Sequence, residues 1–227
     1  MEVPRRGPFS LPIRGRAGAH QGGRKVPTLS TWITADLHLG HPFVAKLRGY
    51  PDVSQHDRII VENLRAALRP GDVLWVLGDI SSGWGPQEER ALDVLDATFR
   101  ALRETPAGFS VHLIAGNHDT CNPLHPESHL RQRRFLDVFD SVQTFQMVEW
   151  GGEQVYLSHF PRPGYEHDNM DSRHDELRLD VPLLVHGHLH SSRPVTGHGM
   201  VDVGVEAWDL HPVPAKVVQE TLFTQSL

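Results

Sequence analysis

The sequence has very little cysteine and no long apolar run, and each absence narrows the class of protein. Cys121 is the only cysteine among 227 residues, so an internal disulfide is excluded and a reducing compartment is favoured. No apolar stretch is long enough to cross a bilayer. The first 28 residues also lack the apolar segment of a secretory signal. We therefore expect a cytoplasmic protein without a membrane anchor.

Positive charge is scarce outside the first 28 residues. That segment holds six arginine and lysine residues against one glutamate, a balance of +5, whereas the whole chain carries −6. The rest of the chain therefore carries −11. A body this acidic is a poor non-specific binder of nucleic acid, so a long duplex is not an expected partner. The same charge suits a protein that neutralises carboxylates with bound cations.

Residues 1–28 also differ from the rest in composition. They are rich in Gly, Pro and Arg and show no hydrophobic periodicity, which predicts a disordered basic tail. A nucleic-acid-binding arm is the alternative function of this tail. Residues 29–227 are predicted to form a single domain.

Hydrophobic periodicity predicts alternating strands and helices in the first half of that domain. Apolar strands are predicted at 29–35, 72–79 and 109–119. A helix is predicted over 54–71, capped by Ser54 with Asp57 three residues on, and another over 86–104. Leu92, Leu95 and Phe99 lie on the inner face of the second helix. This order is typical of an α/β fold with parallel central strands.

The second half of the domain is richer in strands. The stretch "SVQTFQMVEW", a Gly-Gly turn and "QVYLSHF" together predict a β-hairpin. "VPLLVHGHLH" and "MVDVGVEAW" predict further strands. A second sheet packed on the first would accommodate all of them.

Each apolar strand ends in side chains that can bind a metal. Because loops at the carboxyl ends of parallel strands build the site of an open α/β sheet, these side chains are expected to meet. A single "GD" or "GNHD" is a common turn, but the ordered series D-x-H, G-D, G-N-H-D, H, G-H-x-H is far more specific. The residues are Asp36 and His38, then Asp79, then Asn117, His118 and Asp119, then His159, then His188 and His190. His186 has the same parity as the last two but lies within the predicted strand, so we expect a structural role for it.

The ordered series resembles that of the calcineurin-like metallophosphoesterases, over about residues 30 to 212. The ending "VDVGVEAWDLHPVP" resembles a bacterial and phage subgroup of small predicted phosphoesterases. The resemblance implies an α/β fold, a four-layer αββα sandwich of two mixed β-sheets flanked by helices. It also implies a binuclear metal centre. The first metal would be held by Asp36, His38, Asp79 and His190, and the second by Asp79, Asn117, His159 and His188.

The same resemblance implies a mechanism. Imidazole and carboxylate ligands suit two divalent transition metal ions, with Mn favoured and Fe, Zn or Ni as alternatives. A hydroxide shared by the metals would attack phosphorus. His118 would face the substrate and protonate the leaving oxygen or stabilise the transition state. Asp119 is predicted to orient the ring of His118, with a loop cap as its alternative role.

Departures from the wider family bear on the substrate. Ser82 and Ala115 stand in the neighbourhoods where the phosphoprotein phosphatases and symmetrical dinucleoside tetraphosphatases of the family carry arginines that can bind a dianionic phosphate bidentately. This favours a phosphodiesterase acting on a small nucleotide or a nucleic-acid end. A phosphomonoesterase, or a metal-dependent scaffold with little catalysis, is the alternative. Arg162 and Arg173, in a charged segment after His159, and His41 are candidate substrate contacts. A solvated loop is the alternative for the arginines, and bracing a ligand for His41.

Overall fold

The computed structural model describes residues 30–167 and 169–224. Within them, ten strands form two five-stranded sheets. In chain order the strands are β1 Thr31–Thr34, β2 Val73–Val76, β3 Ser110–Ile114, β4 Ser141–Gln143, β5 Phe145–Trp150, β6 Glu153–Ser158, β7 Leu184–His186, β8 Val195–Gly197, β9 Met200–Asp202 and β10 Val213–Pro214.

Both sheets are mixed. The first has the order β10-β1-β2-β3-β4, with β1 to β4 parallel and β10 antiparallel to β1. The second has the order β5-β6-β7-β9-β8, with β6, β7 and β9 parallel and the two outer strands antiparallel to their neighbours. The parallel core strands of each sheet therefore end at one edge, where their loops can meet.

Five α-helices accompany the sheets in the described ranges. They are α1 Pro42–Leu47, α2 Val53–Ala67, α3 Gly85–Arg103, α4 Ser128–Leu136 and α5 Ala215–Thr224, and 3₁₀ turns cover Asp175–Leu177 and Val205–Trp208. As the periodicity predicts, α3 buries Leu92, Leu95 and Phe99. The predicted cap of α2 is wrong: Asp52 caps it by accepting from the backbone N of Ser54 at 2.9 Å.

Two buried apolar clusters hold the layers together. One lies between the first sheet and helices α2 and α3, where Ile60, Leu74 and Phe99 are buried together. The other lies between the sheets, where Ile33 of β1 meets Val185 of β7, and α5 contributes Val218 and Leu222. Burying this apolar surface contributes on the order of 25 cal/mol per Å². The predicted α/β sandwich of two mixed sheets flanked by helices is confirmed.

The predicted hairpin needs one correction. β5 and β6 pair antiparallel around Gly151 and Gly152 as expected. However, Ser141–Gln143 pairs in parallel with β3 in the first sheet. The stretch "SVQTFQMVEW" is therefore two strands, and the chain passes from one sheet to the other at Thr144.

The predicted disordered tail at 1–28 lies outside the described residues. The described helices include none that combines the length and apolar character needed to cross a bilayer.

Candidate metal centre

The predicted ligands all follow strands, and their backbones turn sharply there. Five of the seven have a positive φ, which L-residues other than glycine seldom adopt. They are Asp36 at 57°, His38 at 46°, Asp79 at 55°, His188 at 72° and His190 at 48°. Such conformations persist only where the surrounding structure enforces them, and they cluster at functional sites.

Two glycines let the ligand loops approach each other. A Cβ atom at Gly187 would lie 2.6 Å from the Cβ of Ala35 and 2.7 Å from Oδ2 of Asp36. A Cβ atom at Gly116 would lie 2.2 Å from Oδ1 of Asp79. All three distances are far below van der Waals contact, so only glycine permits this packing.

One half of the centre gathers around His38 and His190. Their Nε2 atoms are 3.1 Å apart, and the Nε2 of His38 is 3.7 Å from Oδ2 of Asp79. Ligand atoms of Asp36, His38 and His190 all lie within 4.8 Å of one another. This half contains the four residues predicted for the first metal.

The other half gathers around Asn117. Its Oδ1 lies 3.0 Å from the Nε2 of His159 and 3.0 Å from the Nδ1 of His188. The Nε2 of His159 is also 3.5 Å from Oδ2 of Asp79. The Oδ2 of Asp79 therefore faces both halves, as predicted for a bridging carboxylate.

The far ring nitrogen of each ligand histidine faces a hydrogen-bond acceptor. In the first half, the Nδ1 of His38 faces the Ser81 carbonyl at 3.0 Å and the Nδ1 of His190 faces Glu206 at 2.6 Å. In the second, the Nδ1 of His159 faces the Leu77 carbonyl at 2.7 Å. The Nε2 of His188 faces Glu166 at 3.1 Å. These acceptors take the ring protons, so the inward nitrogens present lone pairs.

Converging lone pairs repel each other unless a cation lies between them. Burial, reinforced by the charge of His190, lowers the pKa of His38 well below its usual value. Burial likewise lowers the pKa of His159, and that of His188 to about 2. Neutral imidazoles beside carboxylates are the ligand set of a divalent transition metal. The residues present therefore fit the metals that the resemblance implies.

The carboxylates point to the same conclusion. Asp36 is fully buried, and burial together with the charges of Asp79, Asp202 and Glu206 raises its pKa well above the usual value. A buried cluster of acids is costly unless positive charge accompanies it. A bound cation would supply that charge.

Two carboxylates behind the predicted ligands, Glu206 and Glu166, are not among the predicted site residues. Glu206 accepts from His190 and, at 2.8 Å, from the Nε of Arg48. Arg48 also donates to the Asp36 carbonyl at 2.7 Å. Burial alone would raise the pKa of Glu206, but His190 and Arg48 outweigh it and lower the pKa to about 2. Glu206 is therefore an ionised carboxylate that orients a ligand.

Glu166 has the same relation to the second half. It faces His188 at 3.1 Å and accepts from the Nη2 of Arg178 at 2.7 Å. Its signal in the sequence is the acid-histidine pair in "YEHD", which lies in the charged segment that predicts only substrate contacts. Each half thus has a histidine ligand backed by a glutamate, which is in turn held by a buried arginine.

His118 and His41 lie beside the first half. The ring centroid of His118 is 5.3 Å from that of His38, and its backbone N donates to Oδ1 of Asp79 at 2.8 Å. The ring of His41 lies 5.4 Å from that of His38. His41 also caps α1, since its Nδ1 accepts from the backbone N of Val44 at 3.5 Å. The structure therefore brings both residues to the centre.

Asp119 does not orient His118, so that prediction is wrong. The Nδ1 of His118 faces the Ser82 carbonyl at 3.1 Å instead. The Asp119 carboxylate accepts from the backbone N of Asp79 and of Ile80, both at 3.0 Å, and from that of Gly116 at 2.7 Å. It therefore connects the loop that follows β2 with the loop that follows β3, which is the loop-capping alternative.

The two predicted arginine contacts have different outcomes. The Nη2 of Arg162 donates to the carbonyls of Pro182, at 3.0 Å, and His198. Its Nη2 therefore holds loops together, and a phosphate contact by the rest of this guanidinium stays a prediction. The Nε of Arg173 lies 3.7 Å from Oε2 of Glu166, and its side chain is about half exposed. Arg173 therefore lies at the rim of the second half.

His186 is separate from both halves. It is buried, its Nδ1 faces the Gly187 carbonyl at 2.7 Å, and its Nε2 faces Oγ1 of Thr196 at 2.7 Å. Burial lowers its pKa to about 4, so it is a neutral ring. These contacts are those of the structural histidine that the sequence predicts.

Comparisons with known proteins agree with this geometry. A family model described as calcineurin-like phosphoesterase matches residues 29–192. The Gene 66 protein of Mycobacterium phage L5 is 33% identical over 192 residues, which cover 79% of this chain and 87% of that protein. The Gene 66 protein of Mycobacterium phage D29 is 34% identical over 195 residues, covering 81% and 92%.

A solved structure also shares the fold. The protein of unknown function AQ665 from Aquifex aeolicus superposes with a TM-score of 0.61 and 20% sequence identity. The match covers 86% of this chain and all of that one. At this identity the likeness concerns the fold alone.

Proposed function

This chain belongs to the calcineurin-like phosphoesterase family, in a small bacterial and phage subgroup, and we propose that it hydrolyses phosphodiesters with two divalent metal ions. The family implies metal-dependent hydrolysis of phosphoesters. The observation that carries the proposal is the set of inward-facing lone pairs in two adjacent groups that share Asp79. Mn is the favoured metal, with Fe, Zn or Ni as alternatives.

The proposed ligand sets follow the two halves of the centre. One ion would be held by Asp36, His38, Asp79 and His190, and the other by Asp79, Asn117, His159 and His188. When bound, such ions withdraw charge from the phosphoryl oxygens and lower the pKa of the attacking water.

The chain's own residues supply positioning and proton transfer. His118 is fixed from both sides, because its Nδ1 faces the Ser82 carbonyl and its backbone N is held by Asp79. Its Nε2 is the atom we assign to donating a proton to the leaving oxygen, a role typically worth 10²–10⁴-fold in rate. Asp119 accepts hydrogen bonds from the backbone of both the Asp79 loop and the His118 loop, so it fixes the two loops relative to each other.

The preference for a diester rests on which cations are available to a phosphate. Ser82 and Ala115 place no guanidinium beside His118. Nearby, Arg48 is buried against Glu206, and Arg178 is buried against Glu166. Arg173, about half exposed at the rim, has its Nε 3.7 Å from Oε2 of Glu166. With these guanidiniums paired to glutamates, a dianionic monoester would lack the bidentate clamp beside His118, whereas a monoanionic diester needs one less. A small nucleotide or a nucleic-acid end is the substrate class we favour.

A substrate panel with a metal count tests this function. Purified full chain should bind about two equivalents of Mn²⁺ and cleave a bis-aryl phosphate faster than an aryl monophosphate. Asp79→Ala should remove both metal binding and turnover. Asp93→Asn is the matched control, because Asp93 lies on α3 with its side chain 76% exposed. An Asp79→Ala protein that keeps full activity would disprove the proposal. Faster cleavage of the aryl monophosphate would show that the preferred substrate class is a monoester.

A further inference from the structure

The segment between β6 and β7 is organised by one buried arginine. The side chain of Arg178 is fully buried. Its Nε donates to the Arg173 carbonyl at 2.8 Å, its Nη2 to Glu166 at 2.7 Å, and its Nη1 to the Tyr165 carbonyl. Its guanidinium also lies 5.4 Å from the ring centroid of Phe160. The segment is thus fixed before any substrate arrives, which removes an ordering cost from binding.

Glu166 holds two imidazoles at once. Its Oε1 lies 3.1 Å from the Nε2 of His188 and 2.6 Å from the Nδ1 of His167. The backbone N of His167 also donates to Oε1, at 3.1 Å. One carboxylate therefore fixes both a proposed metal ligand and the ring of its sequence neighbour.

His167 lies over the metal centre. Its ring centroid is 5.2 Å from that of His188 and 5.8 Å from that of His190. Its side chain is 30% exposed, so it is open to solvent on one side. Because Nδ1 is committed to Glu166, Nε2 is the ring atom free for a ligand, and it makes no hydrogen bond to any described residue.

His167 and His118 approach the centre from different loops. His118 packs against His38, in the first half. His167 packs against His188, in the second, and reaches His190. Arg162 is bound to backbone carbonyls and Arg178 is enclosed in its own loop. Arg173 lies farther out, about half exposed, with its Nε 3.7 Å from Oε2 of Glu166. On the second side, the imidazole of His167 is therefore the donor that packs directly on the rings of the proposed ligands.

We propose that His167 is a substrate-binding residue whose Nε2 donates a hydrogen bond to a phosphoryl oxygen, held in place by the carboxylate that also orients His188. This role rests on the proposed function, since it assumes that a phosphoester occupies the centre. It assigns phosphate recognition on this side of the centre to a histidine in place of an arginine.

Inorganic phosphate is the probe that tests this role without turnover. His167→Ala and His167→Gln are compared with the wild-type full chain, all loaded with Mn²⁺. His129→Ala is the control, because His129 is an exposed histidine on α4. Four properties are measured for each protein. They are the number of metal equivalents bound, the thermal midpoint, the phosphate affinity by calorimetry, and the kcat and KM on a bis-aryl phosphate.

We expect His167→Ala to keep about two metal equivalents and to bind phosphate about 10- to 100-fold more weakly, the range for one charge-assisted hydrogen bond. KM should rise by a similar factor, and His167→Gln, which retains a donor, should recover part of the loss. Unchanged phosphate affinity in a folded, metal-loaded His167→Ala protein would overturn the role. Loss of a metal equivalent would also overturn it, because His167 would then be a ligand.

The two proposals fail in different ways. A wild-type chain that binds phosphate through His167 but cleaves no phosphoester would disprove the proposed function and leave the phosphate contact intact. A chain that cleaves phosphodiesters equally well with and without His167 would support the proposed function and disprove the phosphate contact.

Discussion

His38 and His190 point their Nε2 atoms at each other across 3.1 Å, while the Nδ1 atom of each faces an oxygen. Two such nitrogens share one position, and that position accommodates one cation. Burial lowers the pKa of His38 well below its usual value, so its inward nitrogen is free to take a metal. At the neighbouring Asp36, burial and nearby carboxylates raise the pKa, so metal binding there is coupled to proton release.

Mn²⁺ should consequently bind more weakly at pH 6 than at pH 8. The reason is that burial and the charge of Asp79 raise the pKa of Asp36, whose proton must leave when the metal binds. Calorimetric titrations in two buffers of different ionisation enthalpy will count the protons released. Equal affinities at pH 6 and pH 8, with no buffer dependence, would contradict this coupling.

Replacing Glu206 by Gln should weaken one of the two metal-binding events by about 10- to 100-fold. Gln cannot accept the ring proton of His190 as strongly as an ionised carboxylate does, and it leaves the buried charge of Arg48 less well balanced. Glu166→Gln should weaken the other event, through His188. Glu149→Gln, at an exposed position on β5, is the control. Manganese titrations followed by electron paramagnetic resonance separate the two events, and loss of both in either variant would show that the halves are not independent.

His186→Asn should retain far more activity than His188→Asn or His190→Asn. His186 is bonded to Gly187 and Thr196, so the substitution costs hydrogen bonds on the order of 1–3 kcal/mol of stability but no ligand. The other two variants should lose a metal equivalent and more than the roughly 100-fold that an outer partner costs. Activity and metal content of the three proteins check this, and comparable losses at all three positions would refute the division.

The metal-free protein should lose stability between pH 6.5 and pH 8. Although backbone hydrogen bonds oppose it, burial raises the pKa of Asp202 from 3.8 to about 7. A carboxyl with a raised pKa binds its proton more tightly in the folded state, so its contribution is present at low pH and is lost as the pH rises from 3.8 through about 7. His186, with its pKa lowered to about 4, acts in the opposite sense, but only up to its unfolded value of 6.5.

Thermal unfolding of protein treated with a chelator measures this loss. Asp202→Asn should reduce the decline above pH 6.5. The remainder comes from Asp119, because burial and the charge of Asp79 raise its pKa to about 8. Excess Mn²⁺ should reduce the decline further by neutralising the acid cluster. A midpoint that rises between pH 6.5 and pH 8 without metal would show that other groups dominate.

The sequence predicts where the proposed ligands meet, because each of them follows a strand end. Asp36, Asp79 and Asn117 follow three strands whose parallel pairing follows from the strand-helix alternation, so their meeting is a consequence of topology. Gly187 is likewise predictable, since two ligand loops must pass close together. His186 lies before the end of its predicted strand, so the same argument from strand ends places it in the sheet.

The residues behind the ligands are not predictable in this way. Glu206 and Glu166 reach their histidines across 16 and 22 positions of chain, and no spacing rule connects them. Asp119 is next to His118 in the sequence, which suggests that it orients that ring. Its carboxylate instead accepts from three backbone N–H groups of the neighbouring loops. The predicted strand at 141–150 is two strands, because periodicity does not show that the chain changes sheets.

The left-handed conformations at Asp36, His38, Asp79, His188 and His190 bear on design. Seven side chains of the right kind, placed on the ends of ideal strands, would not point at common positions. A designer who wished to transplant this centre would have to copy the loops with their backbone angles, the glycines that let them approach, and the carboxylate of Asp119 that fastens them. The part that must be transplanted is the set of interlocked loops, because their backbone conformation places the ligands.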